Sequence, residues 1–158
     1  MTTVTAFPAP PALPAPPPAP QGGEIFRLAV PNTVNAPRIA RDFVGSLLRV
    51  GRHSTLVDDA RLCVTEIVTN AHRHTRTRQI RIDVTVNRKQ VTVSVTDDKP
   101  WALPMPQSRC AGQEFEDGQG LHLVNTLAHA WGATIYGACS PRAKAVWFTL
   151  ARSAATGT

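Results

Sequence analysis

Three short segments of the chain carry polar residues whose types and spacing are suited to chemistry. In the run VTEIVTNAHRH, residues 64–74, a carboxylate, an amide and an imidazole recur at i, i+4 and i+8. On a helix that spacing stacks Glu66, Asn70 and His74 one above another. Apolar Ile67 and Ala71 flank the row, so it stands at the margin of a buried stripe. The second segment, VTDDKP, ends an alternating run with Asp97 and Asp98. The third, DGQGL, sets Gly118 and Gly120 directly before a helical run that starts at Leu121. Two glycines there let backbone amides approach a phosphate at the positive end of the helix. Each segment also has an ordinary reading. A polar row at i, i+4 is commonly a solvated face, an Asp at a strand end bonds its own turn, and GxG is a frequent turn. A histidine in a last helical turn, as His74 is, is favoured by the helix dipole with or without a ligand.

The elements that must position these residues can be read from periodicity. EIFRLAV, residues 24–30, alternates as a strand. Asn35 can cap a first helix with Pro37 in its first turn and Ile39, Ala40, Phe43, Val44, Leu47 and Leu48 on one face, ended by Gly51. Thr55 is placed to cap a second helix, with Asp58 at its positive end and a stripe of Leu56, Ala60, Cys63, Ile67 and Ala71. Ile80, Ile82, Val84 and Val86 alternate with polar residues, and after Asn87-Arg88 so do Val91, Val93 and Val95. This predicts a hairpin in which both strands have one apolar and one wet face, and hence an antiparallel sheet covered by helices on one side. Residues 97–117 read as a long loop of the lid or binding type. A third helix is expected over about 121–130, and two last strands near 134–137 and 145–150.

Composition bounds the rest. The chain has 158 residues, 42% of them hydrophobic, which suits one domain with a single core. Its longest apolar runs fall far short of the ~18 residues of a membrane span, and no basic segment precedes an apolar one as in a secretory signal. Three cysteines, Cys63, Cys110 and Cys139, with no CxxC pair argue against a disulfide framework or a zinc site and for a reducing cytoplasm. Residues 1–20 hold 8 of the 14 prolines and no charge. They read as a polyproline-II-like tail, so the organisation expected is a disordered tail over 1–23, a domain over 24–151 and a flexible end over 152–158. The net charge is +6 and every Lys and Arg lies in or after the first strand. Such a field attracts nucleic acid, an acidic protein face or a nucleotide without choosing among them.

Order and spacing say more than any one motif. A helix with E-x-x-x-N, a strand ending in Asp, a long loop and a GxGL helix, taken together, resemble the ATP-binding domain shared by histidine kinases, gyrase and heat-shock chaperones. In detail VTEIVTNAHRH, DGQGLHLVNTLAHAWG (117–132) and AKAVWF (143–148) are similar to the small bacterial anti-sigma-factor serine kinases and their actinobacterial relatives. The resemblance covers residues 24–151. It implies an α+β, open-faced two-layer sandwich, with a mixed, mostly antiparallel sheet covered on one side by three helices. By the same resemblance, Asn70 holds Mg²⁺ through its amide oxygen and Asp97 accepts the exocyclic amine of adenine. Gly118, Gly120 and the Leu121 amide cradle phosphates, and Glu66 is the general base toward a protein hydroxyl. His74 falls beside the nucleotide. Lys99 stands where relatives have a glycine, and either meets the base or pairs with a phosphate. Lys144 matches a late phosphate-site lysine, with Ala143 in place of the usual glycine before it. The cofactors implied are ATP and Mg²⁺. The partners implied are a sigma factor and an anti-sigma antagonist protein, with homodimerisation open.

Two other classes stay in view. The domain can bind nucleotide, or merely share the fold, and act by sequestering its partner without phosphotransfer. The basic stretch Arg73, Arg76, Arg78, Arg81, Arg88 and Lys89 suggests a nucleic-acid-binding module. That reading stands behind the others because the stretch lacks interleaved aromatics and a reader motif, and its alternation suits the wet face of a sheet. No direct contact with nucleic acid or membrane is expected. The tail reading carries a test. Deleting residues 1–22 removes no apolar face, so the melting temperature should stay within error, and a drop of several degrees would show that the tail docks on the domain.

Overall fold

The computed structural model describes residues 23–100, 119–137 and 139–153, which form an α+β fold. The elements run β1 (Glu24–Pro31), α1 (Ala36–Val50), a 3₁₀ turn (Ser54–Leu56), α2 (Val57–His74), β2 (Gln79–Val86), β3 (Gln90–Asp97), α3 (Gln119–Leu127), β4 (Ala130–Tyr136) and β5 (Ala143–Ala151). The strands make one sheet in the order β1-β2-β3-β5-β4. Every neighbouring pair is antiparallel, so the sheet is purely antiparallel where a mixed one was expected.

The helices form for the reasons read in the sequence, with local differences. Pro37 sits in the first turn of α1 and Gly51 closes it, its amide donating to the Leu47 carbonyl at 2.9 Å. Asn35 occupies the N-cap position but its side chain makes no capping bond. Thr55 does not cap α2 either. It lies inside the 3₁₀ turn that feeds directly into the helix, and Asp58 and Asp59 supply the negative charge at the helix start instead. Ala36, Ala40, Val44 and Leu48 of α1 are fully buried, as are Ala60, Cys63, Val64 and Val68 of α2. At the crossing, Gly45 leaves room for the stem of Arg61, whose Cδ would lie 3.2 Å from a Cβ at that position.

The core lies between these helices and one face of the sheet. Across the strands run Ile82, Val95 and Val146, then Val84, Val93 and Phe148, each row joined by strand register and buried. The other face departs from the wet surface expected of the hairpin. On β3, Thr92 and Ser94 are buried as well. The cause is the neighbouring strand: Thr92 and Thr149 share a hydroxyl hydrogen bond of 3.1 Å, and Trp147 stands directly opposite Ser94. Trp147 itself packs over Gly132, where a Cβ would meet its Cζ2 at 3.0 Å. α3 ends at Leu127 and β4 starts at Ala130, so the helix is shorter and the strand begins earlier than expected. The His129 amide already donates to the Thr149 carbonyl at 2.8 Å, which draws the chain into the ladder.

Cys63 lies wholly inside this core, and its thiol is pushed up to about 12 by burial first and by the Asp59 and Glu66 carboxylates second. Cys139 is exposed. Alkylation of the native protein at pH 8 followed by peptide mapping should therefore modify Cys139 and leave Cys63 untouched until the protein is unfolded. Modification of Cys63 at the same rate as Cys139 would contradict this packing.

Candidate functional site

The polar residues singled out above lie on α2, at the end of β3, at the start of β5 and at the start of α3. α2 packs across β3 and β5 and against α3, and it leads into β2, whose first half pairs with the end of β3. Glu66 and Asn70 are half-buried and His74, in the last turn, is exposed. Their neighbours on the buried side are Cys63, Ile67 and Ala71, which fix how α2 is rotated on the sheet. Asn70 makes no hydrogen bond to another described residue.

The C-terminal end of α2 is held by contacts that local patterning did not show. Asn32, just beyond β1, donates from Nδ2 to the Thr77 carbonyl at 2.9 Å, and its Oδ1 lies 2.7 Å from Nδ1 of His72. Thr75 closes the helix by donating its hydroxyl to the Ala71 carbonyl at 2.6 Å. Their only signal in the sequence is a run of small polar residues in loops, which does not say where they meet.

At the end of β3 the structure brings together Asp97 and Lys144, paired across the strands by register. Nζ of Lys144 lies 2.8 Å from Oδ2 and 2.9 Å from Oδ1 of Asp97, and it also donates to the Lys99 carbonyl at 3.0 Å. The Lys99 amide donates to Oδ1 of Asp97 at 2.8 Å, which is the turn expected of an Asp at a strand end. The side chains of Lys144 and Asp97 are 3% and 2% exposed, so the pair is dry. Burial pushes the Asp97 carboxyl up, opposed by the bond and charge of Lys144 and by the Lys99 amide, while Asp98 adds to the rise. Burial likewise pushes the Lys144 ammonium down, opposed by Asp97. Lys144 therefore points into the strand-end contact, and the side chain of Lys99 points to solvent while its backbone does the bonding.

α3 starts at Gln119, so Gly120 lies within its first turn and not in a loop before it. The amides of Gly120 and Leu121 are thus among the donors that a helix N-terminus leaves without intrahelical partners. Leu121 is 2% exposed and anchors that turn in the core. Gly118 lies outside the described residues, as does most of the segment read as a lid. Among the described residues, no three His, Cys, Asp or Glu side chains cluster to hold a metal.

The described residues thus hold a half-buried carboxylate and amide on α2, a buried carboxylate at the end of β3 and the N-terminus of α3. The profile of one protein family, described as the histidine kinase-like ATPase domain, matches residues 30–150. The chain belongs to this histidine kinase-like ATPase domain family. No curated protein matches the chain. Membership in this family implies ATP binding, for which Mg²⁺ is the typical companion. The family comprises ATP-binding regulatory domains, anti-sigma-factor kinases among them.

In this ATPase domain the basic stretch does not make one patch. Arg76 and Arg78 precede β2, whereas Arg88 and Lys89 lie in the turn after it, about 25 Å away at ~3.4 Å per residue. Arg81, between them, lies 3.3 Å from the Asp83 carboxylate. No helix among the described residues is long and apolar enough to cross a membrane.

The buried pair can be probed by stability. Removing one partner leaves the other charge without compensation, so Lys144→Met should cost about 3 to 5 kcal/mol in denaturant unfolding. Replacing both, as Asp97→Leu with Lys144→Met, should recover most of that loss. A double variant as unstable as the single one would mean that the strand end is held by something other than this contact.

Proposed function

We propose that this protein is a cytoplasmic, ATP-binding regulator of the anti-sigma serine kinase type. In this reading it transfers phosphate to a serine or threonine of an antagonist protein and holds a sigma factor when the antagonist is unavailable. The single observation that carries the reading is the combination of family membership with Glu66 placed one helical turn before Asn70, which has no hydrogen-bond partner among the described residues, on the half-buried edge of α2. Nucleotide binding alone has no need of a carboxylate at Glu66. A serine hydroxyl has a high pKa, and its attack benefits from a base within hydrogen-bond reach.

The residues fit the ligands that the family implies. Asn70 offers a neutral hard oxygen, suited to a Mg²⁺ whose other ligands are phosphate oxygens and water. Bound ATP supplies the phosphoryl group, and its Mg²⁺ offsets the negative charge of the phosphates. Asp97 offers an acceptor to an exocyclic amine and leaves a guanine carbonyl unpaired. The first amides of α3 favour an anion. Glu66 takes the proton from the attacking hydroxyl.

One observation favours a second reading, a domain that sequesters its partner without catalysis. Asp97 already holds Lys144 and the Lys99 amide, and a carboxylate satisfied within its own chain can serve structure alone. Nucleotide titration of the purified protein with and without Mg²⁺ separates the two. On the first reading ATP binds, and Asn70→Ala removes the Mg²⁺ dependence. Glu66→Gln keeps shape and hydrogen bonding, so it should retain nucleotide affinity while labelled-phosphate transfer to the antagonist falls by about 10² to 10⁴. Transfer at the wild-type rate by that variant would remove Glu66 from the role. If wild type binds no nucleotide at millimolar concentration yet still binds a sigma factor, the sequestering reading stands in place of the kinase.

A further inference from the structure

We propose that Lys144 is a positioning residue for base recognition: it holds Asp97 as a bare carboxylate and leaves an acceptor position on Oδ2, filled by no described residue, open to an exocyclic amine. The inference rests on the nucleotide reading of the site and assigns to Lys144 a role away from the phosphates.

The hydrogen-bond inventory at Asp97 carries the argument. An ionised carboxylate has about four acceptor positions on its two oxygens. Oδ1 accepts from the Lys99 amide at 2.8 Å and from Lys144 Nζ at 2.9 Å, which fills it. Oδ2 meets the Lys144 ammonium as an ion pair at 2.8 Å and keeps an acceptor position that no described residue fills. An exocyclic amine can take that position as a donor, whereas a carbonyl oxygen finds only an acceptor facing it. The discrimination holds only while the carboxyl carries no proton, because a protonated carboxyl donates and would accept the carbonyl instead. A carboxylate 2% exposed is driven toward its neutral form by loss of water, and Lys144 is the one cation bonded to it among the described residues. The other charged side chains at this strand end, Asp98 and Lys99, are exposed, and Asp98 works against ionisation.

Lys144 is itself fixed on two sides. Strand register sets its backbone opposite Asp97, and the Lys99 carbonyl takes a further proton of its ammonium at 3.0 Å. That second bond ties β5 to the turn leaving β3, so Asp97 is oriented as well as charged.

The test uses the full chain and compares the dissociation constants of ADP and GDP at pH 7 for wild type, Lys144→Met and Lys144→Arg. Wild type should favour ADP by about 10- to 100-fold, the worth of one buried group left unpaired by the wrong base. Lys144→Met should fall below about 3-fold, because the uncompensated carboxyl takes up a proton. Lys144→Arg, which keeps a cation, should restore most of the preference. The carboxyl carbon of Asp97, followed by NMR in protein labelled at aspartate, should shift from the ionised to the protonated position in the Met variant alone. A purely structural lysine would weaken both nucleotides equally and leave their ratio unchanged, and that result overturns the proposal. If the Met variant does not fold, Lys144→Arg and Lys144→Gln are compared in the same way, cation against neutral donor, with loss of preference expected only for Gln. Wild type that binds ADP and GDP equally overturns this role while sparing the nucleotide reading, whereas wild type that binds neither overturns both.

Discussion

The end of the sheet at which β3 stops is organised by one contact between charges shut away from water. Asp97 ends β3 and Lys144 opens β5, strands that lie 47 positions apart in the chain at this pair and side by side in the sheet. Removing two ions from water costs several kcal/mol each, and only close, well-directed bonds offset it. Here both carboxylate oxygens and at least two ammonium protons are engaged, with the Lys99 backbone contributing a donor and an acceptor. Two aliphatic side chains would close the same strand end at nearly the same stability, so the pair is poorly explained as a stabilising device. What it provides that packing does not is direction. It fixes a charged acceptor at this strand end, and through the Lys99 backbone it fixes how the chain leaves β3.

That contact was not legible in the sequence, and the reason is its range. Periodicity reports on neighbours three or four apart in a helix and two apart in a strand. It placed α1, α2, β2 and β3 to within a few residues, and it placed Cys63, Ile67 and Ala71 on the buried side of α2, because each of those properties is local. It had no access to the pairing of β3 with β5, which decides both the fate of Lys144 and the burial of Thr92 and Ser94. Reading those two residues as solvated followed from alternation alone. A central strand flanked by Trp147 and Thr149 has no free face there, whatever its alternation suggests. The end of α3 shows the same limit, since a helix expected to run to about residue 130 stops at Leu127, where the ladder with β5 claims the chain.

The site residues divide along the same line. Glu66, Asn70 and Asp97 could be singled out because their types are out of place beside an apolar stripe or at a strand end, and the order of the motifs joined them. Gly120 and Leu121 were legible as a helix start, though the helix takes in Gly120. Lys99 was read for its side chain, and the structure uses its backbone instead, as donor to Asp97 and acceptor from Lys144. A backbone contribution carries no residue-type signature, so nothing at that position could have announced it. Asn32 and His72 escaped for a different reason. Each is an unremarkable polar residue, and only the folded chain brings β1's exit against the end of α2.

The chemistry left to α2 follows from how little else shares its space. Glu66 stands three residues, just under one turn, after Cys63, whose thiol is wholly buried and held neutral with its pKa pushed up to about 12. The neutral thiol fills the stripe as a small hydrophobe. One turn after Glu66, Asn70 offers a dipole and no charge, which lets a cation be shared with an incoming anion instead of being neutralised by the protein. Asp97 is paired with Lys144, whereas Glu66 has no ion-pair partner among the described residues, so on the proposed reading Glu66 is the carboxylate left to take a proton from the attacking hydroxyl.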